Sequence, residues 1–126
     1  MSRISDDRPD PNQAIAPSDM NSWERIDPSR GPQAAWKSKS GYAVYRATFT
    51  PPKILQPTGG TIVFHEIVGV AEVYLDGILR ATKGDPEPRR LEVMFEAQSK
   101  KSTVSVLVRA ETQVGGITQR VQLLAR

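Results

Sequence analysis

The sequence predicts an all-β protein, an antiparallel sandwich of two β-sheets. Segments in which apolar and polar residues alternate follow one another at spacings of about ten residues, the pattern of half-buried strands joined by turns. No apolar period typical of a helix extends beyond one turn. The 10 prolines and 9 glycines favour turns over helices. These observations together predict about seven or eight strands in two packed layers.

Length and composition limit the class of protein. The 126 residues suit one domain, because a chain of this size buries about two thirds of the surface that its unfolded form exposes. Hydrophobic residues at 38% and charged residues at 25% are typical of a soluble globular protein. Cysteine is absent, which excludes disulfide scaffolds, thiolate metal sites and cysteine nucleophiles. No run reaches the roughly 20 apolar residues of a membrane span, so a membrane is not an expected partner.

The charge pattern argues against a nucleic-acid surface. The formal charge of +3 comes from 17 basic and 14 acidic residues that are spread along the chain. Adjacent basic residues occur only at Arg89-Arg90 and Lys100-Lys101, both in predicted turns without interleaved aromatic residues. Solvated loop tips explain these pairs, and nucleic acid is not an expected partner.

A hairpin around Asp76-Gly77 lies at the centre of the predicted fold. Asp-Gly between two apolar runs is a strong hairpin signal, because a type I′ turn needs positive φ at both central residues. A two-residue turn pairs Leu75 with Ile78 but places Val73 opposite Arg80. We therefore expect a β-bulge or a slightly longer loop in this hairpin.

The other strands are predicted from the same alternation of side chains. Their apolar positions are assigned to the inner faces of the two sheets and their polar positions to the outer faces. Pro51-Pro52 ends the strand that starts at Tyr42, because proline donates no backbone hydrogen bond. The predicted inward-facing residues are Ala43, Tyr45, Ala47, Phe49, Ile62, Phe64, Ala71, Val73, Leu75, Leu91, Val93, Phe95, Ala97, Val104, Val106, Val108, Ala110, Ile117, Val121 and Leu123.

The chain divides into a lead-in and a domain. Residues 1–17 are rich in Asp, Pro, Asn and Ser and have no apolar period, which predicts a flexible linker or lead-in. Residues 18–126 are assigned to the sandwich. This domain opens with an irregular arm, residues 18–39, that contains both tryptophans of the sequence.

Two motifs carry a resemblance to a known family. They are GYAVYRATF at residues 41–49 and GVAEVYLDG at residues 69–77. Together they resemble the signature of the jelly-roll sugar-binding domain of glycoside hydrolase family 2, the β-galactosidase and β-glucuronidase family. That signature joins a Tyr-Arg-x-x-Phe strand to a Gly-Val-x-x-x-Val-Tyr-Leu-Asn-Gly hairpin. Asp76 stands where Asn is usual, and either residue tolerates the turn. Family 35 β-galactosidases and other galactose-binding-like sandwiches share the pattern.

The resemblance implies a galactose-binding-domain-like jelly roll that is a C-terminal or accessory domain of a β-galactosidase-like enzyme and is not itself catalytic. Its expected partners are the other domains of the parent glycoside hydrolase, with a galactoside or other carbohydrate as a further expected ligand and no cofactor. The compartment of the fragment is left open, while the periplasm or secretion is expected for a bacterial parent enzyme. An autonomous carbohydrate-binding module and an unrelated protein-interaction sandwich are the alternatives.

The acidic residues do not indicate catalysis by this chain. Glycoside hydrolysis usually needs two carboxyl groups about 5 to 10 Å apart across a cleft. Glu66, Glu72, Glu92 and Glu96 lie at strand positions where a solvated sheet face explains them. His65 is the only histidine, so a hydrogen-bonded strand residue is favoured over a metal ligand or a catalytic base. No catalytic residue is therefore assigned.

Metal binding is not assigned either. The acidic residues that come closest to a calcium loop lack its spacing. They are Asp6, Asp7 and Asp10 in the lead-in, and Asp85 and Glu87 in a predicted turn.

Sugar recognition needs an exposed aromatic plane beside hydrogen-bonding groups. Trp23, Trp36 and Tyr42 are the aromatic residues outside the core pattern, and Asp27 is a polar neighbour. These four residues form the candidate carbohydrate-binding set. For both tryptophans, the favoured alternative is that the side chain packs over one end of the hydrophobic core. Arg46 is interpreted as a structural residue that binds a carboxylate or a carbonyl group.

Overall fold

The computed structural model of the chain describes residues 2–5, 8, 10–12, 41–110 and 116–125. All regular elements in these ranges are strands. Among the described residues there is no helix that is long and apolar enough to cross a membrane. The strands are β1 (Ser2–Ser5), β2 (Gly41–Phe49), β3 (Gly60–Val68), β4 (Val70–Leu75), β5 (Ile78–Lys83), β6 (Arg89–Phe95), β7 (Ser102–Ala110), β8 (Gly116–Ile117) and β9 (Val121–Leu124).

The strands form two antiparallel sheets. The five-stranded sheet has the order β1-β2-β7-β4-β5. In the four-stranded sheet, β3 pairs with β6 on one side and with β8 and then β9 on the other. The predicted antiparallel two-sheet sandwich is confirmed.

The inner faces of the two sheets form one hydrophobic core. Most of the residues predicted to face inward are buried in it, and Phe49 and Phe95 meet edge to face with ring centroids 5.7 Å apart. Ala97 lies beyond the end of β6, and Ala47 is exposed although Ala43 on the same face of β2 is buried. Val121, also predicted to face inward, is 38% exposed at the start of β9. Alternation fixes the face of a residue but not how far the opposite sheet extends over it.

The hairpin of β4 and β5 has the predicted geometry. Asp76 has φ of 50° and Gly77 has φ of 83°, so both central residues have the positive φ that a type I′ turn requires. The register shifts between Val73 and Tyr74, because Val73 pairs with Ala81 and Tyr74 with Leu79. The expected bulge is thereby confirmed.

A second bulge in β3 produces a feature that the alternation did not predict. The pairing with β6 shifts between Phe64 and Ile67, and both of these side chains are buried in the core. His65 and Glu66 are consequently left half-buried between them. An apolar spacing of three residues within a strand is the expected result of such a bulge.

The predicted last strand is divided. Gly116–Ile117 pairs with the end of β3 and Val121–Leu124 pairs with its beginning. Between them, the Thr118 amide donates to the Glu66 carbonyl oxygen at 3.2 Å. The chain therefore stays beside β3 through the interruption.

An additional strand forms in the N-terminal segment. Ser2–Ser5 pairs with residues 42–45 of β2 at the edge of the five-stranded sheet. The sequence predicts no strand here, because an edge strand held by main-chain hydrogen bonds needs no apolar period. The division of the chain between residues 17 and 18 lies outside the described residues and stays a prediction.

The pairing registers of the strands show which loops and turns lie together at each of the two ends of the sandwich. The turn end contains the Asp76-Gly77 turn, the loop of residues 50–59, and the last residues of β6 and β9. The lysine end contains Lys83, the crossing at Gly69 between the two sheets, and the first residues of β6.

Candidate functional site

Tyr42 is the one member of the candidate carbohydrate-binding set that lies within the described residues. It is half-buried on the outer face of the five-stranded sheet, where it pairs with Arg109 of β7. Trp23, Asp27 and Trp36 lie outside the described residues. The grouping of these four side chains stays a prediction.

An ion pair attaches the N-terminal segment to this outer face. Arg8 Nη2 donates to Glu72 Oε1 at 2.8 Å and to Oε2 at 3.2 Å, and the Tyr74 hydroxyl donates to Oε1 at 2.6 Å. The hydrogen bond from Arg8, followed by that from Tyr74, lowers the pKa of the Glu72 carboxyl group. Glu72 is therefore an ionised anchor for the segment rather than a proton donor.

The cleft beside Tyr42 is small. It has a volume of about 110 Å³, and its lining includes Arg8, Tyr42, Glu72 and Arg109. Ligand pockets in proteins usually occupy about 300 to 1,000 Å³. The described part of the predicted sugar site therefore offers no space for a complete sugar ring.

Arg46 makes a second attachment between the sheet and the N-terminal segment. Its Nε donates to Ser105 Oγ at 3.2 Å, and its Nη2 donates to the Pro11 carbonyl oxygen. Burial lowers the pKa of the guanidinium group, against the opposite influence of the Asp10 carboxylate. The predicted carbonyl-binding role of Arg46 is confirmed.

A larger pocket lies between this attachment and the hairpin turn. We call it the turn pocket; its volume is about 420 Å³ and its lining residues are Asn12, Arg46, Asp76, Gly77, Thr103 and Ser105. The Thr103 amide donates to Asp76 Oδ1 at 2.8 Å, and the Asp76 amide donates to the Thr103 carbonyl oxygen, also at 2.8 Å. This reciprocal pair fixes the Asp76 carboxylate at the rim of the pocket.

The bulge in β3 opens a polar groove on the other sheet. The groove has a volume of about 570 Å³ and is lined by His65, Glu66, Gln119 and Arg120. His65 Nε2 lies 2.7 Å from the Gln122 side-chain oxygen. The Thr118 hydroxyl group donates to the side-chain oxygen Oε1 of Glu66 at 2.6 Å. The prediction that His65 is a hydrogen-bonded strand residue is confirmed.

Most acidic side chains in the described ranges engage basic, hydroxyl or amide groups. Two carboxyl groups have a pKa that departs clearly from the usual value, and both are lowered. For Asp85, desolvation raises the pKa of the carboxyl group, but the hydrogen bonds from Arg89 and from the Glu87 amide lower it by more. A general acid in glycoside hydrolysis needs a raised pKa. The described ranges also contain no group of three or more possible metal ligands.

Lys83 is a polar residue of the core that the sequence pattern did not reveal. It is 5% exposed, and its Nζ donates to the Gly69 carbonyl oxygen at 2.9 Å and to the Asp85 carbonyl oxygen at 2.6 Å. The only available signal was its place at an inward-facing position of β5, opposite Ala71. Lys83 thus closes the core where the chain crosses between the sheets.

Apolar side chains are exposed mainly at the turn end. Among the described residues six large apolar side chains are exposed, and all except Val121 belong to this end. Met94 and Leu124 both pair with Thr61, so they flank it on the outer face of the four-stranded sheet. The exposed fractions are 83% for Ile54, 60% for Ile78, 49% for Leu79, 62% for Met94 and 41% for Leu124.

No family model matches the sequence, and none of the curated proteins does. Among solved structures, the fold is similar to part of a protein assigned as a β-galactosidase from Bacteroides fragilis, at 16% identity and a TM-score of 0.62 over 97% of this chain and 23% of that chain. It is also similar to part of an FMN-binding β-glucuronidase from Faecalibacterium prausnitzii L2-6, at 17% identity and a TM-score of 0.58 over 80% of this chain and 17% of that chain.

A third similar structure is a β-glucuronidase from an uncultured Clostridium species, at 15% identity and a TM-score of 0.55 over 69% of this chain and 20% of that chain. This chain therefore spans less than a quarter of the length of each of these three proteins. What the chain shares with these glycosidases, at such identities, is the fold of a β-sandwich segment.

Proposed function

We propose that the chain is a non-catalytic accessory domain of a family 2 glycoside hydrolase, most closely a β-galactosidase, and that its turn end packs against another domain of that enzyme. The observation that carries this proposal is the gathering of exposed apolar side chains at one end of the sandwich. The similar structures support it, because in each of them this fold is one part of a much longer glycosidase.

The electrostatics support a role without catalysis. Glu72 and Asp85 are held ionised by arginines, whereas a glycosidase needs one protonated carboxyl group beside an ionised one. Bond cleavage would then belong to a different domain of the parent enzyme, and a galactoside would be the substrate of that domain.

The apolar surface supports packing against a second protein domain. Ile54, Ile78 and Met94 are each at least 60% exposed. We take this concentration of exposed apolar side chains at one end as an interaction surface, since large exposed apolar patches typically mark interaction sites. Interfaces between domains of one chain bury about 600 to 1,500 Å², and the turn end with its adjoining sheet face offers the apolar centre for such a contact.

The test uses the gene that encodes the chain. We expect its complete reading frame to encode a barrel domain with two catalytic carboxylates. The remainder of that polypeptide, produced separately, is expected to bind this chain in isothermal titration calorimetry. The chain alone is expected to leave nitrophenyl galactosides intact.

Matched variants locate the contact. Ile78→Lys at the turn end is expected to weaken binding of the remainder at least tenfold, since it places a charge in an apolar contact. Arg90→Ala at the lysine end is the control and is expected to bind as the unchanged chain does. A reading frame without a barrel domain, an equal effect of both variants, or dimerisation of the chain through Ile78 would contradict the proposal.

A further inference from the structure

We infer that the outer edge of β6 pairs with the same edge of a second copy of this chain, so that two four-stranded sheets join into one antiparallel sheet. This inference goes beyond the proposed accessory role and does not rest on it. Within the described ranges, β3 is the only strand that pairs with β6. A strand at the edge of a sheet presents backbone donors and acceptors to which a further strand can bind.

The order of charges along β6 carries the inference. Arg90 and Glu92 lie on the outer face of the strand, with side-chain exposures of 52% and 55%, and Arg90 Nη2 donates to Glu92 Oε1 at 2.7 Å. Antiparallel strands place residues of the same face directly opposite each other. When Leu91 lies opposite Leu91 on a two-fold axis, Arg90 of each copy lies opposite Glu92 of the other.

The charges also select this register over its neighbours. If the inner and outer faces of both strands are kept, the next symmetric register in one direction places Arg90 opposite Arg90, and the next in the other direction places Glu92 opposite Glu92. Like charges directly opposite destabilise a strand pair, whereas opposite charges stabilise it. The order Arg-x-Glu is therefore self-complementary in a symmetric dimer.

Charged residues on an edge strand usually protect it from pairing with another copy. The edge strand β5 of the other sheet fits this rule, because its charged residues, Arg80 and Lys83, are both basic and self-pairing gains no ion pair. The outward charges of β6 have opposite signs instead. A second copy therefore extends the ion pair of Arg90 and Glu92 into a ring of alternating charges, and such networks contribute more than isolated exposed pairs.

The inner face and the ends of β6 fit the same register. Leu91 is half-buried and packs against the core, so two copies of it extend the apolar layer across the axis. Pro88, just before the strand, comes opposite Met94, and the pairing ends there because proline donates no backbone hydrogen bond. The contact spans residues 89–93. So short a contact belongs to the small, transient interfaces, and we expect association at high micromolar to millimolar protein concentration.

Sedimentation equilibrium of the full chain over this concentration range tests the inference. We expect a reversible equilibrium of monomer and dimer that weakens as salt is added, because salt screens exposed charges. Arg90→Glu and Glu92→Arg, each alone, bring like charges opposite each other at both symmetric positions, and each is expected to weaken the dimer at least about tenfold. The double variant Arg90→Glu/Glu92→Arg reverses the order of the charges and is expected to restore the dimer.

The matched control is Lys101→Glu, which changes the net charge as Arg90→Glu does but lies in the exposed connection between β6 and β7. It is expected to leave the dimer unchanged, and urea unfolding of the monomer checks that each variant folds. A chain that stays monomeric throughout, a dimer that both single reversals leave intact, or a double variant no tighter than the single ones would overturn the inference. Binding of the remainder of the parent enzyme is a separate measurement, so either result stands without the other.

Discussion

The turn end and the lysine end close the same two sheets in different ways. At the lysine end, a buried ammonium group satisfies the carbonyl oxygens of Gly69 and Asp85, where the chain crosses from one sheet to the other. At the turn end, Phe49 and Phe95 join the sheets through their rings, and apolar side chains such as Ile54 and Ile78 remain exposed. One end is completed by its own polar contacts, whereas the other leaves apolar side chains exposed.

Truncation of Phe95 tests the aromatic closure of the turn end and has the largest expected effect. Phe95 is completely buried, and replacing a buried phenylalanine by alanine costs about 3–5 kcal/mol. We expect Phe95→Ala to lower the free energy of unfolding by that amount in urea titrations. Met94→Ala, the exposed neighbour, is the control and should change it little. A loss below about 1 kcal/mol for Phe95→Ala would mean that the rings do not join the sheets.

A pair of glycine substitutions compares how closely other atoms pack around the backbone at the two ends. Gly69, at the lysine end, has φ of 110°, and a Cβ atom there would lie 2.7 Å from the Arg109 carbonyl oxygen. Gly69→Ala is expected to cost at least about 3 kcal/mol, since the clash adds to backbone strain. Gly77, in the turn, has φ of 83° but nothing within 4 Å of the added atom. Gly77→Ala is expected to cost only about 1–2 kcal/mol.

Thermal or urea unfolding of both glycine variants measures the difference. Equal costs would show that the crossing at Gly69 is no more constrained than the open turn.

Alkaline pH tests the contact between β2 and β8. Burial raises the pKa of the Tyr45 hydroxyl group to about 12 from a usual value of 10.0, although a hydrogen bond with the Ile117 backbone opposes this. Because the folded-state pKa is raised, the contribution to stability is complete below pH 10 and is lost as the pH rises towards 12. At 1.36 kcal/mol per pKa unit, the loss is about 3 kcal/mol.

The measurement is the free energy of unfolding between pH 9 and pH 12 for the unchanged chain and for Tyr45→Phe. The difference between the two proteins should change by about this amount across the range. A constant difference would indicate that the Tyr45 hydroxyl group is accessible to solvent in the folded state.

Removal of the buried ammonium group tests the closure of the lysine end. Lys83→Met keeps most of the length of the side chain and leaves the carbonyl oxygens of Gly69 and Asp85 without this donor. A buried acceptor left without its partner costs about 1–3 kcal/mol, which urea unfolding will measure. The exposed Lys101→Met is the matched control. If both variants behave alike, water satisfies these carbonyl oxygens and the contrast between the ends is smaller than described.

The attachment of the N-terminal segment has the smallest expected effect. Arg8 and Glu72 have side-chain exposures of 54% and 26%, and partly exposed ion pairs contribute about 0.2–1 kcal/mol. Glu72→Gln should therefore lower the stability by at most this amount at pH 7. Because the folded-state pKa of Glu72 is lowered, the contribution is present above the usual value of 4.5 and is lost as the pH falls through the folded-state pKa.

Stability curves from pH 7 down to pH 2 for the unchanged chain and Glu72→Gln provide the measurement. The two curves should converge at acid pH. A difference that persists there would point to a contribution of Glu72 other than its charge.

The sequence was sufficient for the features that depend on local periodicity and turn chemistry. The alternation along β2, β4, β6 and β7 predicted which side chains face the core, and Asp76-Gly77 predicted both the hairpin turn and its bulge. These features require only neighbouring residues and the two-residue period of a strand.

The sequence was insufficient for features that join distant segments. The strand at Ser2–Ser5, the Arg46 contact with Pro11 and the buried position of Lys83 all depend on pairs of segments that the periodicity does not connect. The same distinction between local and long-range features applies to the candidate sites. Tyr42 was placed correctly on an outer face, whereas the turn pocket unites Asn12, Asp76 and Ser105 from three separate parts of the chain.

By itself, therefore, the sequence determined the class of fold, the inner and outer faces of most strands and the central hairpin, because each follows from steric rules that act within a few residues. Only the tertiary structure decided which apolar side chains remain uncovered and which polar groups converge on one pocket. The physical reason is that burial and convergence depend on the packing of one sheet against another and on the N-terminal segment that crosses the outer face, and sequence distance does not specify either.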